Sequence, residues 1–460
     1  MRLAVMGAGI VGLTTAAGFA ELGHTVDCCD IDTGKVGQLA RGLVPYREPD
    51  LEALISRHAA AGHLRFSSDP ERLAAEAEVI FLAVGTPAGD DGLMRLEPLW
   101  AAVDRLGEWM GGRRTIVVKS TVPVGTADRL EARLRARLPE RCELFVASVP
   151  EFMREGQAVR DFFEPARVVI GSDDAETFAI VERLYGALPA PIVATDRRSA
   201  ELAKLAANAH LAVKMSFANE MAALAEQTGA DYPAIARILG LDPRIGSEYL
   251  GAGLGFGGSC LPKDARALVR LADEAGAPQT LVAAAIRANA TLPLRMIRKL
   301  EAALSWPSRR KVALLGLAFK PGTDDMREAP SVRLAQELLR RHPGISLTAY
   351  DPAASQAMKR ALPSAVRLYG SAEAALRGAD AAILVTEWPE FGRIRAEEFR
   401  SWMNRPILLD GRNALDADAL NGSGVVCIGV GRLPANSPDL SGAADESGRR
   451  AQNEEQGTGA

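Results

Sequence analysis

A short apolar run, residues 3–6, passes straight into Gly7-Ala8-Gly9-Ile10-Val11-Gly12 and then into a segment rich in Ala and Leu. A strand that turns through glycines directly into a helix is the opening of a βαβ unit. The first glycine allows the tight turn, the second lets a pyrophosphate approach the backbone, and the third lets helix and strand pack closely. Further apolar runs at 25–29, 79–84, 115–119, 144–149 and 168–170 alternate with helical segments, which predicts a parallel sheet covered on both faces. This first domain is expected to span residues 1–195.

From Ser199 the pattern becomes helical alone, with Leu202, Leu205, Ala206, Ala209, Val213, Phe217, Met221 and Leu224 recurring at three and four residues. A second helical run is predicted at 278–304, with Pro293 expected to kink or restart it. Alternation resumes with apolar runs at 312–315, 346–350, 381–385, 407–410 and 425–428. The chain therefore reads as an α/β protein: a Rossmann-type domain at 1–195, a helical central region at 196–305 that joins it to a Rossmann-like domain at 306–432, and a polar tail at 433–460 expected to be disordered.

Composition narrows the function. With 460 residues and a net charge of −4, nothing in the composition points to a polyanion partner. No apolar run approaches the roughly 18 residues that span a bilayer, and the first strand leaves no room for a signal peptide, so a cytoplasmic protein is expected. The five cysteines, Cys28, Cys29, Cys142, Cys260 and Cys427, have no CxxC spacing and no histidine cluster beside them, so neither a disulfide framework nor a metal site is predicted.

Asp30 ends the second predicted strand, 18 residues after Gly12, near the spacing of the acid that binds an adenosine ribose. Asp32 follows, and no arginine does. Two acids there would repel a 2′-phosphate, which favours NAD over NADP. Lys35 stands where it could close over the ribose or phosphate. Thr86 in Val84-Gly85-Thr86-Pro87 and Thr121 in Lys119-Ser120-Thr121-Val122-Pro123 fall just beyond strand ends, where open α/β sheets bind ligands.

One cysteine has a reactive setting. Gly255-Phe256-Gly257-Gly258-Ser259-Cys260-Leu261-Pro262-Lys263-Asp264 reads as a glycine-rich loop opening a helix, with Ser259 as the cap and Pro262 in the first turn. Unpaired N–H groups and the helix dipole there favour thiolate. Asp264, four residues on, shares the cysteine's helix face. Lys204 and Asn208 are likewise four apart on the first central helix, and Pro150-Glu151-Phe152-Met153-Arg154-Glu155-Gly156 brings two carboxylates beyond another strand end.

The motifs GAGIVG, VGTP, KSTVPVGT, PEFMREG, AKLAANAHLAVKMSFANE, GFGGSCLPKD and LAFKPGTDDMRE occur in that order, and together they resemble the nucleotide-sugar dehydrogenases, the family of UDP-glucose and GDP-mannose dehydrogenases. The resemblance covers residues 1 to about 430. It implies an NAD-binding domain, a helical dimer core and a sugar-nucleotide domain, and a four-electron oxidation of a sugar C6 alcohol to a carboxylate with two NAD. UDP-glucose is the implied substrate, for surface polysaccharide; GDP-mannose is the alternative, and a sugar-nucleotide sensor without activity is the non-enzymatic one. Single-step hydroxyacid dehydrogenases would leave both the cysteine and the third domain unexplained.

By the same resemblance Cys260 is the nucleophile, Lys204, Asn208 and Asp264 are its catalytic neighbours, and Thr121 and Glu151 assist. Gly7, Gly9, Val11, Gly12, Asp30, Lys35, Thr86, Thr121, Glu155, Lys263 and Arg327 would hold NAD. Glu151, Phe152, Glu155, Lys204, Asn208, Tyr249, Leu250, Gly251, Ala252, Gly253, Gly257, Lys320 and Arg412 would hold the sugar nucleotide, and Arg244 resembles an arginine that enters a neighbouring subunit's site. Glu48-Pro49-Asp50-Leu51 departs from the family's usual EPGL, which puts a local turn in doubt.

Overall fold

The computed structural model describes residues 1–89, 91–139, 142–304 and 310–432. The expected disordered tail, 433–460, lies outside the described residues. The chain divides into two compact units, one formed by Met1–His210 with Lys263–Ala283, the other by Leu211–Pro262 with the chain from Ala284 onward. The helix Arg197–Thr228 starts in the first unit and ends in the second.

The first unit holds an eight-stranded sheet: β1 (Arg2–Met6), β2 (Thr25–Cys29), β3 (Leu64–Ser67), β4 (Val79–Leu82), β5 (Arg113–Val118), β6 (Glu143–Ser148), β7 (Val168–Gly171) and β8 (Ile192–Thr195). Their order in space is β3-β2-β1-β4-β5-β6-β7-β8. The strand order reverses between β1 and β4, so the loops leaving those two strands open the crevice at which such sheets bind ligands. The sheet is not parallel throughout: β7 meets β6 antiparallel, at Ser148 and Gly171. Two strands, β3 and β8, escape the sequence reading because each is only four residues long, too short for a periodic pattern to stand out.

Phe19 of the helix Ile10–Glu21 is fully buried at the centre of this unit's core, with ring centroids 5.0 Å from Phe81, 5.5 Å from Phe162 and 5.2 Å from Tyr185. A buried aromatic cluster of this kind contributes about 3–5 kcal/mol per ring against truncation to alanine. It clamps the first helix to the sheet, so the glycine loop ahead of it is held at a fixed height.

The second unit holds β9 (Lys311–Leu315), β10 (Ser346–Tyr350), β11 (Arg367–Leu368), β12 (Ala381–Leu384), β13 (Ile407–Asp410) and β14 (Val426–Ile428) in the order β11-β10-β9-β12-β13-β14, all parallel. Its reversal point lies between β9 and β12. Asp351, at the end of β10, accepts N–H bonds from Leu317 (2.6 Å) and Ala318 (3.2 Å) of the loop after β9. In the first unit Asp30, at the end of β2, accepts from Ala8 at 2.8 Å in the loop after β1. Both units thus use an acid on the second strand to hold the first loop. Asp351 is 1% exposed and also accepts from the Trp388 indole, which leaves it a structural role.

The helix Thr280–Leu304 runs through Pro293 without the predicted restart. Among the described residues no helix is long and apolar enough to cross a membrane.

Candidate active site

The glycine loop fits a dinucleotide. A Cβ on Gly7, whose φ is +103°, would lie 2.6 Å from the Ala83 carbonyl oxygen, and one on Gly12 would lie 1.8 Å from that of Gly7. Nothing lies within 4 Å of a Cβ placed on Gly9. Two glycines are therefore required by protein contacts, and the third keeps open space above the backbone. The helix that starts at Ile10 has no side-chain cap at Gly9, so its first N–H groups and the positive end of its dipole suit a pyrophosphate.

Asp30 is half-buried. Burial raises its pKa, but N–H bonds from Asp32 and Ala8 and the Lys35 ammonium at 2.9 Å outweigh this and hold the carboxyl below its ordinary value. Lys35 is thereby committed to Asp30. Asp32 caps the helix Thr33–Leu39 by accepting from the Lys35 N–H, a role its sequence position did not announce.

Thr86 and Thr121 are brought together: the Thr86 hydroxyl donates to the Thr121 carbonyl at 2.7 Å. Ser120 fastens the same loop to β4, its hydroxyl donating to the carbonyls of Val84 (2.6 Å) and Leu82 (3.1 Å). Just beyond β6, the Glu151 carboxylate accepts the Met153 N–H at 2.5 Å and lies 3.3 Å from the Lys204 ammonium. Both side chains are under a tenth exposed, and Lys204 also lies 5.3 Å from the Phe152 ring centroid.

Lys204 and Asn208 share one face of the helix Arg197–Thr228. Asn208 donates to Asp264 at 2.6 Å, and Lys263 donates to the other oxygen of Asp264 at 2.6 Å. Asp264 is fully buried. A buried carboxylate between an amide and an ammonium keeps its orientation without side-chain freedom.

Cys260 is the exposed cysteine of the five; Cys28, Cys29 and Cys427 are buried and Cys142 is half-buried. Burial pushes Cys29 up to about 11 and Cys427 to about 12, and it raises Cys28 and Cys142 as well, so these four are held as thiols. The adjacent helix is Leu261–Glu274, so Cys260 itself takes the cap position that the sequence reading gave to Ser259. Ser259 instead sets its hydroxyl 3.5 Å from the sulfur, and Pro262 falls at the second helical residue.

In the second unit the glycines before Cys260 are used for packing. A Cβ on Gly257 would lie 2.3 Å from the Glu328 carbonyl oxygen, and Gly258 donates to the Arg327 carbonyl at 2.8 Å. Asn289 bonds both backbone groups of Phe256, at 2.9 and 3.0 Å. Arg412 donates to the carbonyls of Val385 (2.8 Å) and Gly255 (3.1 Å), so it braces the loop. Tyr249 is in the left-handed region at φ 63°, Leu250 and Ala252 are buried, Gly251 is exposed, and Gly253 accepts no Cβ because the Gly411 carbonyl oxygen would lie 2.5 Å away. The Leu250 carbonyl accepts from Tyr232 and the Gly253 N–H donates to Asn219, both at 2.8 Å.

Lys320 lies 5.3 Å from the Phe319 ring centroid, and Arg327 pairs with Asp325 at 2.6 Å, both on the loop after β9. Arg244 is highly exposed and pairs with Asp242. Glu155 and Val11 are half-buried.

Three contributors escaped the sequence reading. Glu48 is 7% exposed and accepts from Gly156 (2.7 Å) and Ala158 (2.8 Å), which anchors the segment that follows Glu151. Asp50, in the departing EPDL turn, has φ 64°, a conformation that glycine favours and aspartate tolerates. Lys119 is buried with its ammonium 3.3 Å from the Tyr185 hydroxyl; burial pushes it down to about 8, Lys204 adds to this and Glu151 opposes it. Glu48 and Lys119 both stood in quoted motifs, but neither carried a local signal that pointed to its buried role.

A glycine loop at a sheet's reversal point, an acid on the second strand and a second α/β unit define a dinucleotide-dependent dehydrogenase. The chain belongs to the UDP-glucose/GDP-mannose dehydrogenase family: residues 1–189 match its NAD binding domain, 198–291 its central domain and 313–417 its UDP binding domain. It is 41% identical over 432 residues to the UDP-glucose 6-dehydrogenase YwqF of Bacillus subtilis, covering 94% of this chain and 98% of the relative. It is 42% identical over 456 residues to a UDP-glucose 6-dehydrogenase of Pseudomonas aeruginosa, covering 96% and 100%. The solved structure of a UDP-glucose dehydrogenase from Pyrobaculum islandicum superposes with a TM-score of 0.87 at 37% identity, over 94% of this chain and 98% of that one. The protein is therefore an NAD-dependent oxidoreductase of this family.

Proposed function

We propose that the chain is a UDP-glucose 6-dehydrogenase that converts UDP-glucose to UDP-glucuronate. The observation that carries the reading is the helix face on which buried Lys204 and Asn208 are held by Glu151 and Asp264, in a chain about 40% identical to relatives of that name. NAD would supply the hydride acceptor for each oxidation. Gly7, Gly9, Val11 and Gly12 would hold its pyrophosphate, Asp30 its ribose, and Lys35, Thr86, Thr121, Glu155, Lys263 and Arg327 would surround it.

The first oxidation leaves an aldehyde, whose carbon must become tetrahedral before it can lose a second hydride. The Cys260 thiolate adds to that carbon, and Lys204 with Asn208 stabilises the oxyanion of the thiohemiacetal. The second oxidation leaves a thioester on Cys260. Water attacks it, the C–S bond breaks, and the carboxylate departs as the thiolate is restored. Thr121, Glu151 and Asp264 orient that water and move its protons. Phe152, Tyr249, Leu250, Gly251, Ala252, Gly253, Gly257, Lys320 and Arg412 hold the sugar nucleotide.

The domains divide at 1–195, 196–305 and 306–432, and the protein works in the cytoplasm as a homodimer or larger. Phe217, Leu224, Ile238 and Leu241, between 48% and 79% exposed on the central helices and their end, support an interface with a second copy, at whose site Arg244 would act. Purified protein incubated with NAD and a panel of UDP- and GDP-sugars tests the function. UDP-glucose should exceed GDP-mannose in kcat/KM by about a hundredfold or more, with two NADH per acid. Comparable turnover of GDP-mannose would overturn the substrate assignment.

A further inference from the structure

Glu201 is 2% exposed on the helix Arg197–Thr228, one turn before Lys204. Its carboxylate accepts the Gly125 N–H at 2.6 Å with one oxygen and the Ala127 N–H at 2.8 Å with the other. The helix Thr126–Arg135 that starts there has Gly125 at its cap position, in the left-handed region at φ 83°, with no side-chain cap of its own. An ordinary cap comes from a Ser, Thr, Asp or Asn beside the first turn. Here it comes from a residue 76 positions away in the chain.

Stability alone does not explain that choice. Burial pushes the Glu201 carboxyl up to about 7; the Ala127 and Gly125 N–H groups pull it down, and the Asp128 carboxylate raises it further. Arg197 and Arg198 pair with Asp128, at 3.2 and 2.7 Å, and so mute that repulsion. A local serine would cap the helix without burying a charge. What the distant carboxylate adds is registry between two elements.

Both elements carry residues of the proposed reaction. Glu201, Lys204 and Asn208 follow one another along one helix face and reach three different segments: the start of the helix at Thr126, Glu151, and Asp264. The segment 120–126 is tied at its front to β4 by Ser120 and to Thr86 by the Thr121 carbonyl, and at its back to Glu201. Thr126 closes the turn internally, its hydroxyl donating to the Pro123 carbonyl at 2.6 Å.

We propose that Glu201 is a positioning residue: through the Gly125 and Ala127 N–H groups it sets Thr121 against the helix face that carries Lys204 and Asn208. The proposal rests on the dehydrogenase reading above. Glu201→Gln keeps the shape but turns an NH2 group toward one of the two N–H donors, so one bond is lost. In the full-length protein kcat for UDP-glucose oxidation should fall about tenfold to a hundredfold while KM for UDP-glucose and for NAD moves less than about threefold. Combined with Thr121→Ala, it should slow the reaction less than about twofold beyond Thr121→Ala alone, because the two changes remove one function. An unchanged kcat, or effects that multiply in the double variant, would overturn the proposal.

Hydrogen exchange provides an arm that needs no turnover. Glu201→Asp is one methylene too short to reach both amides, so exchange over residues 122–130 should rise about tenfold while that of the helix Ile10–Glu21 is unchanged; equal protection in variant and wild type would overturn the clamp. If the wild type oxidises no UDP-glucose, the functional reading fails, and the exchange result still decides whether Glu201 holds the loop.

Discussion

Two glycines three residues apart should fail for different reasons when each is replaced by alanine. A Cβ on Gly12 would lie 1.8 Å from the Gly7 carbonyl oxygen, and real Cβ atoms essentially never come within 3.0 Å, so the helix Ile10–Glu21 must withdraw by at least 1.2 Å. Phe19, locked among Phe81, Phe162 and Tyr185, resists that movement. Overpacking against backbone with no flexible side chain to yield costs about 3 kcal/mol or more. At about 2–4 °C per kcal/mol for a unit of this size, Gly12→Ala should lower Tm by about 6–12 °C without any ligand.

Gly9→Ala is the opposite case. Gly9 has φ −80° and ψ −179°, an extended backbone open to any residue, and its Cβ meets nothing within 4 Å. Stability in the absence of NAD should change by less than about 1 kcal/mol. The methyl group then occupies the space the pyrophosphate needs, so NAD affinity should fall about a hundredfold or more, equivalent to about 2.7 kcal/mol. Thermal unfolding with and without NAD separates the two. Wild type at a hundredfold excess over Kd gains about 2.7 kcal/mol, whereas Gly9→Ala should gain almost nothing. A Gly9→Ala protein that is as unstable as Gly12→Ala, or that NAD stabilises as it does wild type, would refute the reasoning.

Asp30→Ala removes the ribose acid, releases Lys35 and leaves the Ala8 N–H without its acceptor, so KM for NAD should rise by about tenfold and the preference over NADP should shrink; unchanged selectivity in paired kinetics would count against that role for Asp30. Cys260→Ser should retain a first hydride transfer but release almost no acid, with at most slow aldehyde or trapped ester, and near-normal formation of two NADH per acid would show the sulfur to be dispensable. Glu201 also sets a pH dependence. Its carboxyl rises from 4.5 to about 7 on folding, so the folded state takes up a proton between those values, and the contribution present below 4.5 is lost as pH rises through 7. Relative to Glu201→Gln, wild type should lose about 3 kcal/mol of stability between about pH 5 and pH 8; a difference that stays constant with pH in denaturant unfolding would refute this.

What the amino-acid sequence determined by itself was whatever rests on short-range patterning. Strand ends followed by glycine, helical spacing and ordered motifs are local, because a turn needs its glycine at one place and a helix face repeats every three or four residues. The α/β class, the glycine loop, Asp30, and the helical spacing of Lys204 and Asn208 were legible on those grounds. The tertiary structure alone decided which distant groups meet. Glu201 reaches Gly125, Glu48 reaches Gly156 and Ala158, and Asn208 reaches Asp264, across separations of 56 to 110 residues. No periodicity encodes such pairings, and a buried glutamate on a helix looks in sequence like a solvated one. The antiparallel β6–β7 contact and the unbroken helix through Pro293 follow the same rule, because strand direction and the toleration of a missing N–H are settled by the packing around them.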